Sequence, residues 1–380
     1  MKSNLRRLFM LNVPKLRFGE FSGEWENSEL NNLIEISSKK FNPKTNNENM
    51  KCIELEHISQ GTGELLGFTY SNKQESTKNI FKKNQVLFGK LRPYLKKYSL
   101  VNFDGVCSSE IWVLDGKKVV NNYLFQLVQT YKFNQIANIS SGSKMPRADW
   151  KYMSEIPFFI PQKLEQQKIA TFLTAVDKKI EQQTKKKTLL EAYKKGVMQK
   201  IFSQEIRFKG DDGGEYEDWV EKKLEEIFKI GSGKDYKHLS SGNIPVYGTG
   251  GYMTSVNEYL YDGESVCIGR KGTIDKPRYI VGKFWTVDTL FYTHSFNQSI
   301  PKFVYLIFQR INWKKYNEAS GVPSLSKSTI ESIKINLPSL EEQIKIANFL
   351  SSIDQKIEQA SKQIEASKAF KKGLLQQMFV

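Results

Sequence analysis

The sequence of 380 residues has little of what a disulfide framework or a histidine-rich metal site needs. It contains only three cysteines and three histidines, scattered along the chain: Cys52, Cys107, Cys267, His57, His238 and His294. No cysteines form a close pair that would suggest a disulfide pattern or a zinc knuckle. We therefore expect reduced thiols and no resident metal.

Long apolar runs are also missing. No stretch approaches the roughly 18 apolar residues of a membrane span. The N-terminus has four consecutive apolar residues, at positions 8–11, against the roughly 7 to 15 of a signal peptide. We expect a soluble, cytoplasmic protein, and the atypical first residues suggest translation from Met10.

Signatures of catalysis are missing as well. Residues 230–234 are rich in glycine, but a phosphate-binding loop would need glycine at Phe228 and a hydroxyl residue at Asp235. Residues 247–251 lack the βαβ context of a dinucleotide site. Glu54 and Glu56 could bind Mg²⁺ from one strand face, but no lysine-rich nuclease pattern surrounds them. We expect no catalytic residue in this chain.

What the chain has in excess is positive charge. Its 57 Lys and Arg against 41 Asp and Glu give a net charge of +16 and an isoelectric point of about 9.4. Such a surface favours polyanionic partners. With 39% apolar residues over this length, we expect two or three folded domains.

The chain contains an internal repeat. An offset of 177 residues aligns residues 156–202 with residues 333–379 without a gap, and 21 of these 47 positions are identical. A weaker repeat opens each half, where Arg17 and Phe18 match Arg207 and Phe208. Residues of about 40–145 and 231–320 show no convincing match. A repeated frame with two divergent inserts suggests one task performed on two targets.

The last part of each repeat has the apolar spacing of a long helix. The apolar positions are Ile169, Leu173, Val176, Ile180, Leu190, Val197 and Ile201 in the first copy, and Ile346, Leu350, Ile353, Ile357, Ala360, Ile364, Leu374 and Met378 in the second. Their spacing predicts coiled-coil seams. Polar residues in the seam, such as Gln183 and Lys371, would help to fix the register. Because the heptads are imperfect, two core helices of unrelated packing remain the alternative.

The two inserts contain short strand-like runs separated by Gly, Asn and Asp turns, which indicates mixed α and β structure. They are rich in Lys, Arg, Tyr and Asn. These side chains can meet phosphates by charge and base edges by hydrogen bonds or stacking. A basic solvated face would have the same composition, so composition alone leaves both interpretations open.

This layout resembles the DNA-specificity (S) subunit of type I restriction-modification systems over nearly the whole chain. The resemblance rests on the helix entries at residues 156–161 and 333–338 and on the Glu-Gln-x-Lys-Ile-Ala runs after them. It rests also on the first insert's Phe88-Gly-Lys-Leu-Arg-Pro-Tyr-Leu95 and Ser108-Ser-Glu-Ile111. Residues 268–274 and 287–290 look like the matching segments of the second insert.

The resemblance implies an α+β fold in which two long helices join two α/β target recognition domains and form an antiparallel coiled coil. The expected boundaries are 13–160 and 204–337 for the target recognition domains, and 161–203 and 338–380 for the helices. Each domain would read its own half of a duplex. Because the inserts differ, the target should be bipartite and asymmetric, with the halves spaced by helices of roughly 50 Å, or about 15 base pairs.

The resemblance also implies roles for individual residues. Basic, aromatic and hydroxyl side chains of the inserts are candidates for DNA contacts: Lys90, Arg92, Tyr94, Lys96, Lys97, Ser109, Lys144 and Arg147 in the first, and Tyr247, Arg270, Lys271, Lys276, Arg278, Ser324 and Lys327 in the second. Charged residues on the outer helix faces are candidates for docking a methyltransferase: Lys168, Lys179, Glu181, Lys356 and Glu358.

The partners implied by the resemblance are double-stranded DNA, two modification (M) subunits that use S-adenosylmethionine, and restriction (R) subunits that use ATP. These cofactors and Mg²⁺ would belong to the partners, and this chain would hold none. Two alternatives remain. A self-sufficient methyltransferase or nuclease would need catalytic motifs, and a coiled-coil scaffold would leave the basic inserts unexplained.

Overall fold

A computed structural model describes residues 12–139 and 145–380, so the positions Met10 and Lys144 named above lie outside the described residues. The chain divides into two compact units. Unit 1 contains residues up to 186 together with 360–380, and unit 2 contains residues 187–359. Each unit therefore combines one insert, the first part of the helix that follows this insert, and the last part of the other long helix.

The elements before the first long helix, and that helix itself, have the following bounds: β1 Glu26–Glu29, α1 Leu30–Leu33, β2 Ile34–Ile36, β3 Lys40–Phe41, β4 Lys51–Ile53, β5 Thr69–Tyr70, β6 Lys78–Phe81, β7 Val86–Gly89, β8 Tyr98–Leu100, β9 Gly105–Cys107, β10 Ile111–Gly116, α2 Asn121–Leu127, α3 Tyr131–Ala137, α4 Trp150–Ser154, β11 Pro157–Ile160 and α5 Lys163–Phe202. The second half continues with β12 Val220–Lys223, α6 Leu224–Ile227, β13 Lys229–Ser232, β14 Ser241–Gly248, β15 Gly251–Val256, β16 Tyr261–Gly269, β17 Arg278–Thr286, β18 Leu290–His294, α7 Pro301–Arg310, α8 Lys327–Glu331, β19 Lys334–Leu337 and α9 Leu340–Gln377.

The strands of unit 1 form a sheet of order β2-β10-β7-β8, a second sheet of order β3-β6-β9-β4-β5 and the antiparallel pair β1-β11. In the second sheet β4 and β9 run parallel. All four residues of β7 are buried, as expected for a strand covered on both faces. Helix α2 packs against the first sheet, where Tyr123 and Leu124 join the main core of the unit.

The strands of unit 2 form a sheet of order β13-β18-β16-β17-β14-β15 and the antiparallel pair β12-β19. Strands β14 and β17 are parallel, with Val246 opposite Trp285. Helix α7 packs on β16 and β17, and its buried residues include Phe303, Val304 and Phe308. The insert therefore has its hydrophobic face under a helix, as in unit 1.

The two units share a framework that the sequences of the inserts conceal. The order β2-β10-β7 in unit 1 recurs as β13-β18-β16 in unit 2, and the pair β1-β11 recurs as β12-β19. Only the added strands differ: unit 1 adds β8 and a separate five-stranded sheet, and unit 2 extends the shared sheet by β17, β14 and β15. The missing sequence match between the inserts thus reflects different additions to one shared sheet.

The two long helices pack antiparallel within each unit. In unit 1 the buried Leu173 of α5 shares a core with Leu374 of α9 and with Met378, which follows that helix. In unit 2 Ile201 shares a core with Leu350. These five predicted heptad positions are therefore at the helix contact. Together with the repeated units, this confirms the α+β tandem-repeat fold.

An ion pair between the helices recurs in both units. Lys371 Nζ lies 2.5 Å from a carboxylate oxygen of Asp177 in unit 1, and Lys194 Nζ lies 2.7 Å from Asp354 in unit 2. The 177-residue offset relates the two lysines to each other and the two aspartates to each other. The polar seam residue Lys371 is only 9% exposed, which is consistent with a role in setting the helix register.

Candidate nucleic-acid interface

The repeated Glu-Gln pair at the start of each long helix connects that helix to its insert. In unit 1 the buried Gln166 accepts a hydrogen bond from the backbone N–H of Val120 at 2.9 Å. Its Nε2 donates to the carbonyl oxygens of Pro161 and Lys118 at 3.0 and 3.2 Å. Since Val120 is the N-cap of α2, this side chain fixes the helix that packs against the sheet β2-β10-β7-β8.

Gln343 makes the equivalent contacts in unit 2. It accepts from the N–H of Ile300, the N-cap of α7, at 3.0 Å, and donates to the carbonyls of Pro338 and Gln298, both at 2.9 Å. Buried polar side chains of this kind are normally fully hydrogen-bonded. The repeated glutamine therefore has a structural explanation in both units.

The neighbouring glutamate binds the arginine that opens each repeat. Arg17 donates through Nε and one terminal nitrogen to both oxygens of Glu165 at 2.8 Å, and Arg207 binds Glu342 in the same bidentate manner at 3.3 and 2.9 Å. The ion pair raises the pKa of each arginine. The arginine of the weak N-terminal repeat thus binds the glutamate of the strong helical repeat in both units, and this ion pair connects the two repeated segments.

The end of β7 and the loop before α4 form a basic edge in unit 1, which we define as residues 90–92 with 146–148. Leu91 forms a backbone bridge with Arg147. The N–H of Arg92 donates to the carbonyl of Pro146 at 2.7 Å, and the N–H of Ala148 donates to the carbonyl of Lys90 at 2.9 Å. The backbone of two distant segments is thereby held in register.

The same backbone pattern forms the basic edge of unit 2, residues 270–272 with 323–325. Lys271 bridges Ser324, the N–H of Gly272 donates to Pro323 at 2.8 Å, and the N–H of Leu325 donates to Arg270 at 2.9 Å. Lys90 and Arg270 occupy equivalent places at the ends of β7 and β16. This bears out the match between the motifs at 88–95 and 268–274.

A second hydrogen bond confirms the other motif match. The N–H of Lys90 donates to the carbonyl of Glu110 at 2.9 Å, and the N–H of Arg270 donates to the carbonyl of Thr289 at 2.8 Å. Glu110 and Thr289 lie in the two short motifs 108–111 and 287–290. The motifs therefore meet at one place in each unit, although about 20 residues separate them in sequence.

The basic edge of unit 2 borders an open cleft of about 370 Å³. Four of the predicted DNA-binding residues line it together: Arg270, Lys271, Ser324 and Lys327. The guanidinium of Arg270 lies 5.9 Å from the centroid of the Phe291 ring, which orients it by a cation–π contact. The cleft also contains Glu318, which sequence reasoning missed because nothing in the local pattern around it signals a site.

The other three predictions in unit 2 do not line this cleft. Lys276 is exposed, and Tyr247 is half-buried against a core cluster. Arg278 donates to the carbonyl of Gly250 at 3.1 Å, while its Nε is buried without a partner among the described residues. At least one nitrogen of the Arg278 side chain thus makes a contact within the protein.

In unit 1 the predicted residues divide between exposed and internally bonded side chains. Arg92, Tyr94 and Lys96 are exposed around the turn at Pro93–Leu95, and Arg92 and Lys96 adopt left-handed φ values of 52° and 51°. Lys97 is half-buried. Its ammonium donates to the carbonyls of Leu55 and Ile58 at 2.5 and 2.9 Å.

The remaining candidates of unit 1 surround one ion pair. Arg147 binds Glu110 through two nitrogens at 3.0 and 3.2 Å, and this interaction raises the pKa of the arginine. Ser109 is exposed next to Glu110, and Lys90 is half-buried. Arg147 is thus oriented by a carboxylate, whereas its counterpart Ser324 carries no charge.

The predicted docking residues are exposed on the long helices. Lys179, Glu181, Lys356 and Glu358 are all exposed, and Lys168 pairs with Glu20 at 3.1 Å. Sequence reasoning missed two exposed aromatic side chains at equivalent positions. Tyr193 is 53% exposed and Phe370 is 57% exposed, and the 177-residue offset that aligns them could have identified them.

Contacts within the protein explain the carboxylate and the glycines that could have indicated a catalytic site. Glu54 is held by the ammonium of Lys78 at 2.5 Å, and the described part of the chain contains no cluster of three or more His, Cys, Asp or Glu side chains that could hold a metal. A Cβ atom on Gly233 would stand 1.9 Å from the carbonyl oxygen of Val287. The glycines of residues 230–234 therefore allow close strand packing.

Within the ranges 12–139 and 145–380, no helix is long and apolar enough to cross a membrane. The duplicated anchors, the shared sheet and the two basic edges define a tandem-repeat α+β protein in which each half carries one insert. A model of the type I restriction modification DNA specificity domain matches residues 22–192 and again residues 216–366. The chain belongs to this family, and its role is DNA-sequence specificity.

Individual relatives are similar over different parts of the chain. The specificity subunit of the type I restriction enzyme EcoDI from Escherichia coli is 30% identical over 171 residues, which cover 44% of this chain and 37% of that protein. The putative type I restriction enzyme MjaX specificity subunit from Methanocaldococcus jannaschii is 25% identical over 409 aligned positions, which cover 96% of this chain and 95% of that protein.

Solved structures show the same fold at lower identity. The S subunit of a type I restriction-modification system from M. genitalium matches with a TM-score of 0.66 at 19% identity, covering 97% of this chain and 99% of that chain. A chain from a structure of complex assembly and conformational transition in the type I system matches with a TM-score of 0.55 at 16% identity, covering 92% and 96%.

Proposed function

We propose that this chain is a non-catalytic recognition subunit whose two units each read one half of a bipartite, asymmetric duplex. One observation supports this most directly: the same basic edge recurs on the same sheet in both units, but its side chains differ. Lys90 and Arg147 in unit 1 stand where unit 2 has Arg270 and Ser324. A constant backbone with variable side chains suits the reading of two different sequences.

The chemistry of the edges fits duplex DNA. Arginine and lysine can donate to guanine O6 and N7 or to phosphate oxygens, and hydroxyl groups can bind either. Cytosolic nucleic acid is the polyanion that a chain of net charge +16 would meet. The fifteen DNA-binding candidates named from the sequence stay predictions, with Arg270, Lys271, Ser324 and Lys327 the best supported because they share one cleft.

The long helices would dock two M subunits, and R subunits would join through them. Tyr193 and Phe370 are suited to anchoring such an interface because exposed aromatic side chains bury large areas at low entropic cost. The charged candidates Lys168, Lys179, Glu181, Lys356 and Glu358 would then form the polar rim. S-adenosylmethionine, ATP and Mg²⁺ would be bound by the partners.

The recognition role is tested by co-expressing the chain with its cognate M subunit in a host free of adenine methylation and mapping modified adenines across the genome. One split, asymmetric motif is expected. Exchanging residues 25–155 for those of another specificity subunit should change one half of the motif only. No methylation, from an M subunit shown to fold and to bind this chain, would contradict the proposal and favour the scaffold.

The docking role is tested separately with Tyr193→Ala and Phe370→Ala, singly and together. Each variant should lose one M subunit per complex, and the double variant both, as measured by the mass of the assembled complex. Tyr259→Ala is the control, because Tyr259 is similarly exposed at 50% but lies in an insert. Full assembly of the double variant would exclude these aromatic residues as anchors.

A further inference from the structure

An exposed carboxylate faces the basic cleft of unit 2. Glu318 lines this cleft together with Arg270, Lys271 and Lys327. Hydrogen bonds from Thr329 and Ser326 lower the pKa of Glu318, so the group is ionised at neutral pH. A carboxylate repels DNA phosphates at short range. A ligand group that contacts Glu318 is therefore expected to be a hydrogen-bond donor.

One oxygen of this carboxylate is held by three hydrogen bonds. Its Oε1 accepts hydrogen bonds from the hydroxyl of Ser326 at 2.7 Å, from the N–H of Ser326 at 3.3 Å and from the hydroxyl of Thr329. For Oε2 no hydrogen bond is found among the described residues. One oxygen is thus used entirely for orientation, and the other remains an acceptor.

The backbone around Glu318 is also fixed. Its N–H donates to the carbonyl of Ser324 at 3.0 Å, and the side chain of Asn317 accepts from the N–H groups of Ala319 and Ser324 at 3.2 and 2.9 Å. These bonds connect the loop to the basic edge. A side chain preorganised in this way can discriminate between ligands, because little ordering accompanies binding.

Resting on the recognition role proposed above, we propose that Glu318 specifies a cytosine in the half-site read by unit 2. In the major groove the exocyclic amines of cytosine and adenine donate hydrogen bonds, and a carboxylate accepts from cytosine N4. Arg270 in the same cleft carries the donors that match guanine O6 and N7, the edge of the paired base. Together the two side chains match one G·C pair.

The substitution Glu318→Gln gives a directional test. In the variant the amide oxygen can keep the three hydrogen bonds that Oε1 accepts. The amide NH2 group then takes the place of Oε2, so a hydrogen-bond donor replaces an acceptor. The genome-wide methylation motif of the variant complex should lose its cytosine at one position of the unit 2 half-site and accept thymine, whose O4 is an acceptor. Discrimination between the two pairs should fall by roughly 5- to 150-fold.

Binding by the purified S and M complex supplies the second measurement. Duplexes that carry G·C or A·T at the affected position are compared for wild type and Glu318→Gln, with equal melting temperatures as evidence that the variant folds. Glu258→Gln is the matched control, because it removes the same charge from an exposed residue of the same insert that does not line the cleft. Its motif should equal that of wild type.

The outcomes separate the two proposals. A defined wild-type motif that Glu318→Gln leaves unchanged would overturn the cytosine assignment and leave the recognition role intact. Relaxation at an adenine instead would also overturn it. A wild-type complex that assembles but methylates nothing would remove the recognition role, and the assignment of Glu318 with it.

Discussion

Replacing Gln166 by alanine should loosen unit 1 locally and measurably. The side chain is 1% exposed and makes three hydrogen bonds, to the N–H of Val120 and to the carbonyls of Lys118 and Pro161. Each such bond contributes about 1 kcal/mol net, and buried groups left unpaired cost more. We therefore expect a loss of about 3 kcal/mol in the free energy of local opening.

Hydrogen exchange followed by mass spectrometry resolves this effect within one unit. A loss of about 3 kcal/mol corresponds to exchange roughly 150-fold faster, centred on the amides at the start of α2. Gln167→Ala is the matched control, because this adjacent glutamine is exposed. Gln343→Ala should produce the same change at the start of α7. Equal exchange in Gln166→Ala and Gln167→Ala would refute the role assigned to the repeated glutamine.

Three further outcomes follow from other contacts. Lys194→Met should lower the free energy of unfolding by only about 1 kcal/mol, because its partner Asp354 is 45% exposed and water screens the ion pair. A double-mutant cycle with Asp354→Asn in chemical denaturation measures the coupling energy of the pair. A coupling energy of zero would contradict this prediction. Gly233→Ala should lower the melting temperature, since a Cβ would stand 1.9 Å from the Val287 carbonyl oxygen, and an unchanged melting curve would count against this packing. Burial raises the pKa of the Cys267 thiol to about 12. A thiolate-selective reagent at pH 8 should therefore label Cys267 negligibly until denaturant is added. Rapid labelling of Cys267 in the native protein would show that this thiol is accessible.

The positions that the sequence predicted best are those with local periodic signals. The heptad residues Leu173 and Leu350 lie at helix contacts, because a helix places residues three and four apart on one face whatever it packs against. The motif match of Lys90 with Arg270 also agrees with the structure, because each follows a strand whose last four residues are buried and whose final residue is glycine. Helix faces and strand ends of this kind can be predicted from the spacing of residues along the chain.

Side chains whose partners are distant in sequence could not be assigned in this way. Lys97 is one of the DNA-binding candidates implied by the resemblance, and the structure adds that its ammonium binds the carbonyls of residues about 40 positions earlier. Glu318 was not identified from the sequence because its neighbours give no sign that it would line the same cleft as Arg270. Both cases depend on long-range contacts, which charge and periodicity do not encode.

By itself the sequence determined that this protein is duplicated, basic and built on two long helices, because repeats, charge and heptads are properties of the chain that need no partner to be read. The tertiary structure decided which residues share a site. It showed that two unlike inserts carry the same three-strand framework, and that the repeated Glu-Gln pair anchors each insert to its helix. Hydrogen bonds between segments far apart in sequence produce both results, so they exist only once the chain has folded.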